Sequence, residues 1–207
     1  MNVIIDYGVG NIASIANMLK RVGAESVISS DARQILDAQR IILCGVGGFD
    51  DGMSRLESQG ISDVIREAVL EKKIPILGVC LGMQLLTDGS EEGQKKGLGL
   101  VRGFAKRFNF QGLENEQQYK TPHMGWNEIK FSKNSGLKEN MPEPARFYFV
   151  HSYRVILEDQ QQELMSARYG FPFTAAFEHD NIIGVQFHPE KSHKYGLKLY
   201  ENFIKNY

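Results

Sequence analysis

The chain has 207 residues, 42% of them hydrophobic, enough for one α/β domain over residues 1–207 with a full core and little left over. Its 24 lysines and arginines balance 25 aspartates and glutamates to a formal net charge of −1, so no whole-chain field favours nucleic acid or an anionic membrane. Two cysteines, Cys44 and Cys80, are too few for a disulfide framework and fit a reduced cytoplasm, and no apolar run approaches the ~20 residues of a membrane helix.

The N-terminus has no basic region ahead of a long apolar stretch, so Asn2–Asp6 reads as a first strand and not as a signal peptide. It is closed by Tyr7-Gly8 and Gly10, and Ile12, Ile15, Ala16 and Leu19 follow at helical spacing. Ser26–Ile28 is a short strand, and Asp31 is a candidate N-cap for a small helix over 32–38. Arg40–Leu43 is a buried strand running into the glycine-rich Cys44-Gly45-Val46-Gly47-Gly48. Helical segments over 53–58 and 61–72 lead to the strand Ile74–Val79. Strands alternating with helices imply right-handed crossovers and a parallel sheet covered on both faces. From about residue 98 the pattern turns β-rich, with strand segments at 99–108, 125–131, 146–150, 153–157, 164–169, 173–178 and 182–187. The polar run 109–120 reads as a surface loop, and a helix over about 194–206 closes the chain. There is no internal repeat and no Pro/Ser-rich linker.

The sharpest local signal is Gly78-Val-Cys80-Leu-Gly82, set between an apolar strand and an apolar helix. A nucleophile lifted on a tight strand-to-helix turn needs small neighbours on both sides, the G-x-S-x-G elbow logic with Cys for Ser. The turn presents the thiol at the carboxyl edge of a parallel sheet, beside a helix N-terminus that favours thiolate. Cys44 has no such setting and reads as a small apolar residue. Near the other end, Gln186-Phe-His188-Pro-Glu190 follows an apolar strand. An extended backbone through Pro189 would point His188 and Glu190 to one face, where the carboxylate could orient the imidazole. His123, His151, His179 and His193 sit in poorer settings for a base. Cys and His show no close ligand spacing, so no metal is expected.

These blocks resemble the class I (triad) glutamine amidotransferases: GVCLGMQLL at 78–86 and GVQFHPEKS at 184–192 are similar to the family's two signatures, in order and spacing. Residues 6–11 (DYGVGN), 45–47 (GVG), 122–127 (PHMGWN) and 148–153 (YFVHSY) are similar to the branch of glutaminase subunits serving imidazole glycerol phosphate synthases. The resemblance covers essentially the whole chain. It implies a flavodoxin-like fold with a central, mostly parallel sheet flanked by helices and a β-rich second half. It implies Cys80 as nucleophile, His188 as acid and base, and Glu190 as its orienter. Val46 and Leu81 would supply oxyanion N–H groups. Gly47, Gln84, Glu92, Ser152 and Tyr153 would hold glutamine. Asn11, Met124 and Trp126 would face a (β/α)₈-barrel cyclase partner, with Trp126 in the core as the alternative. No cofactor is implied.

Two departures stand out. Cys44 occupies the place where the family's oxyanion loop usually begins with proline, which removes a restraint on φ. The tail Lys191-Ser-His-Lys-Tyr-Gly196 is similar to paralogues that supply ammonia for amidination of bacterial surface sugars. Also open are a non-catalytic subunit retaining the fold, which the intact Cys80, His188 and Glu190 oppose, and a cysteine peptidase of related fold.

Overall fold

The computed structural model covers residues 1–207. In chain order its first half comprises β1 (Asn2–Ile5), α1 (Ile12–Arg21), β2 (Ser26–Ser29), α2 (Ala32–Leu36), β3 (Arg40–Gly45), α3 (Phe49–Ser58), α4 (Ile61–Arg66), β4 (Ile76–Cys80) and α5 (Leu81–Leu85). The second half comprises β5 (Gly89–Ser90), β6 (Gly103–Arg107), β7 (His123–Phe131), β8 (Arg146–His151), β9 (Tyr153–Leu157), β10 (Glu163–Tyr169), β11 (Phe171–His179), β12 (Ile182–Val185) and α6 (His193–Asn206). The main sheet has the order β2-β1-β3-β4-β12-β11-β10-β7-β8, and β5-β6-β9 form a smaller one. From β2 through β12 the pairs are parallel, the doubly wound order in which β1 is flanked by β2 and β3. From β12 outward every pair is antiparallel.

Strands β1, β4 and β12 are buried along their whole length, as the unbroken apolar runs require of strands covered on both faces. Two apolar cores of similar size, 29 and 27 residues, lie on the two faces, so neither side of the sheet is open to water there. One holds Ile15 and Leu19 of α1 with Leu199, Tyr200 and Phe203 of α6; the other holds Phe49, Met53 and Leu56 of α3 with Ile61 and Ile65 of α4. No helix is long and apolar enough to cross a membrane.

The differences from the sequence expectations have long-range causes. Helix α3 starts at Phe49 and not at residue 53, because Glu92 Oε2 accepts the Phe49 N–H at 2.9 Å, an N-terminal cap supplied from 43 residues away. The helix expected over 61–72 changes at Glu67 into a π-helical turn, Glu67–Glu71. The wider turn leaves the Val69 carbonyl free of the ordinary ladder, and Asn181 Nδ2 donates to it and to the Ile74 carbonyl at 2.9 Å each. Residues 99–101, expected as strand, direct their amides to the carbonyls of Leu86 and Thr87 at the end of α5. The polar segment 109–120 is not only a surface loop: Phe110 is buried and stacks between Phe108 at 5.5 Å and Tyr119 at 5.3 Å.

Candidate active site

Cys80 ends β4 and caps α5 with φ 55° and ψ −109°, a left-handed backbone that L-residues adopt only when the surroundings enforce it. The enforcement is steric. A Cβ on Gly82 would stand 1.9 Å from the Leu43 carbonyl oxygen, and one on Gly78 would stand 2.6 Å from Leu86 Cδ1 and 2.8 Å from the Gly82 carbonyl oxygen. The turn can therefore close only with glycine on both sides of the cysteine. Its sulfur lies 3.9 Å from the Val150 carbonyl and 3.9 Å from Gln186 Nε2.

Strand β12 runs parallel beside β4 with Gly184 opposite Gly78 and Val185 opposite Val79, so the residues after β12 emerge next to the cysteine. Among them is His188, 2% exposed, whose Nδ1–H donates to Glu190 Oε1 at 2.8 Å. The sequence predicts an extended backbone through Pro189, but Pro189–Lys191 form a 3₁₀ turn instead. The two side chains still meet, because the turn is held by Ser192, whose Oγ donates to the His188 carbonyl at 2.6 Å and accepts the Tyr148 N–H at 3.0 Å. Asn11, ahead of α1, donates from Nδ2 to the same Glu190 oxygen at 3.0 Å. The amide expected to face a partner is thus engaged with the carboxylate.

The electrostatics follow from this line. Burial opposes charge on His188, but the Cys80 sulfur and the Glu190 carboxylate outweigh it and hold the imidazole up at about 9. Burial likewise opposes charge on Glu190, and the bonds from His188 and Asn11 outweigh it, keeping the carboxyl below its usual range. With Nδ1 engaged by Glu190, His188 Nε2 is buried without a hydrogen-bond partner. A proton can be held at that nitrogen and exchanged with a group placed between it and the sulfur.

A cavity of about 320 Å³ opens over the sulfur. Its lining includes Val46, Gly47, Cys80, Leu81, Gln84, Glu92, Ser152, Tyr153 and His188, all singled out from the sequence, with Glu190 standing behind His188. The Val46 N–H makes no hydrogen bond within the chain. Cys44 takes part in β3, opposite Val79, and burial pushes its thiol up to about 12, which fits its reading as a small apolar residue. Strand pairing thus holds the start of the loop where proline is usual, and Gly45 is pinned because a Cβ there would meet the Tyr7 hydroxyl at 2.2 Å. Met124 and Trp126 lie apart from the cavity on an outer strand face, 62% and 41% exposed, which removes the alternative of a core tryptophan. Trp126 stacks flat on His193 at 5.6 Å.

Sequence reading missed Gln186, Ser192 and the second role of Asn11, and among the cavity walls it missed Pro122, Val150, His151 and Lys191. Gln186 and Ser192 stood inside a recognised block, yet nothing local tells which of its polar side chains turn inward.

The family model for glutamine amidotransferase class-I matches residues 3–206. A protein of Methanococcus maripaludis named imidazole glycerol phosphate synthase subunit HisH 2 is 51% identical over 205 residues, covering 99% of each chain. A protein of the same name from Pseudomonas aeruginosa is 48% identical, again over 99% of each. Among solved structures, PurLQS from Thermotoga maritima superposes with a TM-score of 0.70 at 19% identity, covering 98% of this chain and 96% of that one. The glutaminase domain of Trypanosoma brucei CTPS does so with a TM-score of 0.65 at 17% identity, covering 100% and 95%. These two likenesses establish the fold alone.

Proposed function

The chain belongs to the class I glutamine amidotransferases, and on that premise we propose that it is the glutaminase subunit of an imidazole glycerol phosphate synthase, one domain over residues 1–207. The observation that carries the chemistry is the line Cys80, His188, Glu190 at and beyond the carboxyl ends of the adjacent strands β4 and β12, joined by Asn11 from the loop between β1 and α1.

Cys80 Sγ attacks the side-chain amide carbon of glutamine. The oxygen that gains charge is met by the N–H groups of Leu81, at the start of α5, and Val46, an amide free of any internal bond. The imidazolium of His188 gives its Nε2 proton to the departing nitrogen, and ammonia leaves a glutamyl thioester. The same nitrogen, now basic, takes a proton from water, whose oxygen displaces the sulfur to release glutamate. Glu190 keeps the ring oriented and stabilises its charge, and Asn11 keeps Glu190 in place. Gln84, Glu92, Gly47 and the backbone of Ser152 and Tyr153 hold the substrate.

Ammonia then passes to a (β/α)₈-barrel cyclase partner, yielding imidazole glycerol phosphate and AICAR. The exposed Met124 and Trp126 support docking through that face, since large side chains with wide contact area are frequent interface anchors. The names of the relatives favour this acceptor over a surface sugar. The test is complementation of a histidine auxotroph lacking its own glutaminase subunit, with this gene and its cognate cyclase supplied together. Growth supports the reading. Failure to grow, with amidination restored in a surface-sugar mutant, would overturn the choice of acceptor.

A further inference from the structure

A second line of polar groups, outside the triad, reaches the cavity from the outer strands. Asn127 Nδ2 donates to the Arg168 carbonyl at 2.9 Å and lies 3.4 Å from His123 Nε2. His123 Nδ1 lies 3.1 Å from His151 Nε2, and His151 Nδ1 lies 2.7 Å from the Tyr153 carbonyl. The same carbonyl is approached by Gln84 Nε2 at 3.4 Å, and Gln84 Nε2 is 3.1 Å from Gln186 Oε1. Both histidines are buried, and an aromatic box surrounds them: His123 stacks on Tyr169 at 4.1 Å and on Phe149 at 5.0 Å, while His151 meets Phe108 and Phe173.

The donor order along this line follows from one fact, that a carbonyl oxygen only accepts. His151 must carry its proton on Nδ1 to donate to Tyr153, so its Nε2 is an acceptor. His123 must therefore carry its proton on Nδ1, and its Nε2 accepts from Asn127. Burial, which holds His123 down at about 4 and His151 at about 3, keeps both rings neutral and preserves this single arrangement at neutral pH. At the far end, two donors converge on the Tyr153 carbonyl. The Gln84 atom facing it must be nitrogen, and that nitrogen also donates to Gln186. Both amide protons of Gln84 are then engaged within the protein. Its oxygen is the only part of the amide left for the cavity it lines.

We propose that His123 and His151 are positioning residues for substrate binding: His123 donates to His151, which donates into the Tyr153 carbonyl and holds it as the acceptor that keeps the Gln84 amide with its oxygen toward the cavity, ready to accept from a substrate N–H. This rests on glutamine being the substrate, as set out above. A structural role alone would ask only for shape, which an apolar side chain could supply; the line of donors asks for a proton at one ring position.

The test uses the chain together with its synthase partner. His123→Leu removes the donor, whereas His123→Asn keeps an N–H near the place of Nδ1. In His123→Leu the KM for glutamine rises about tenfold while kcat stays within about threefold, and His123→Asn recovers most of the loss. Long-range proton–nitrogen NMR of the wild-type chain finds protonated Nδ1 and bare Nε2 on both rings. An Nε2–H tautomer on either ring would overturn the proposal even if the leucine variant failed to fold. Equal KM in wild type and His123→Leu, or equal losses in the leucine and asparagine variants, would do the same. A wild-type complex that hydrolyses no glutamine would instead strike at the proposed substrate, and the tautomers would still be read independently.

Discussion

Gly82→Ala tests the claim that steric closure of the turn holds the reacting groups in register. The added Cβ would meet the Leu43 carbonyl oxygen at 1.9 Å, against the 3.4 Å at which ordinary contact begins, so α5 and β3 must part by about 1.5 Å. Neither side yields easily, because the obstacle is backbone within a paired strand and not the end of a flexible side chain. Overpacking of this kind costs ~1–3 kcal/mol, and at ~2–4 °C per kcal/mol for a chain of this size the melting temperature falls by ~2–12 °C. The larger effect is on turnover. The first turn of α5 carries the Leu81 N–H and follows directly on Cys80, while β3 leads into the loop bearing Val46. A misplacement of ~1 Å at a reacting group costs ~10²-fold in rate, so glutamine turnover in the partnered enzyme drops by about that factor. Gly48→Ala is the control for stability, with φ −82° and nothing within 4 Å of the added carbon. Thermal melts and initial rates on both variants decide the matter. A Gly82→Ala enzyme melting with wild type and turning over within about threefold of it would refute the steric argument.

Cys80→Ala abolishes glutamine hydrolysis while the partner still works on added ammonium, because the nucleophile and the acceptor chemistry sit on different polypeptides; residual turnover within about tenfold of wild type would reject Cys80 as nucleophile. Asn11→Ala leaves Glu190 with one donor fewer, so its carboxyl rises towards the ordinary range and the acidic limb of the pH–rate profile shifts to higher pH; an unshifted limb would contradict the placement. Stability falls as pH drops from about 6.5 towards 4, since the unfolded chain takes up protons that His123 and His151 refuse when buried, and the His123→Asn variant loses less between pH 7 and 5 in urea titrations. Trp126→Ala weakens association with the partner by ~2 kcal/mol or more and leaves the melting temperature of the isolated chain unchanged, as titration calorimetry and melts can report.

The parts of the site legible from sequence are those whose chemistry is written over a few consecutive residues. Cys80 announces itself through Gly78 and Gly82, and the structure shows why each glycine is needed. His188 and Glu190 were legible as a pair although the backbone between them turns where an extended path was expected, because two residues of separation bring the side chains together either way. What stayed hidden depends on contacts between distant segments. Glu92 caps α3 across 43 residues, and Asn11 reaches Glu190 across 179. Phe110 lies in a stretch so polar that its burial under Tyr119 cannot be read locally. The tautomer order of His123 and His151 needs both strands β7 and β8 in register, with His123 opposite His151.

The placement of β12 against β4 also sets when this protein can become reactive during its own synthesis. The thiol turn is made early, whereas Gln186, which contacts it, lies 106 residues further along. A nascent or truncated chain ending ahead of β12 carries the sulfur but neither the imidazole nor the carboxylate that equips it. It also leaves the edge of β4 that β12 would pair as a row of unfilled backbone groups. Strand β12 therefore fills the gap between β4 and β11 and leads directly to the imidazole and carboxylate, so glutamine hydrolysis awaits a nearly finished chain.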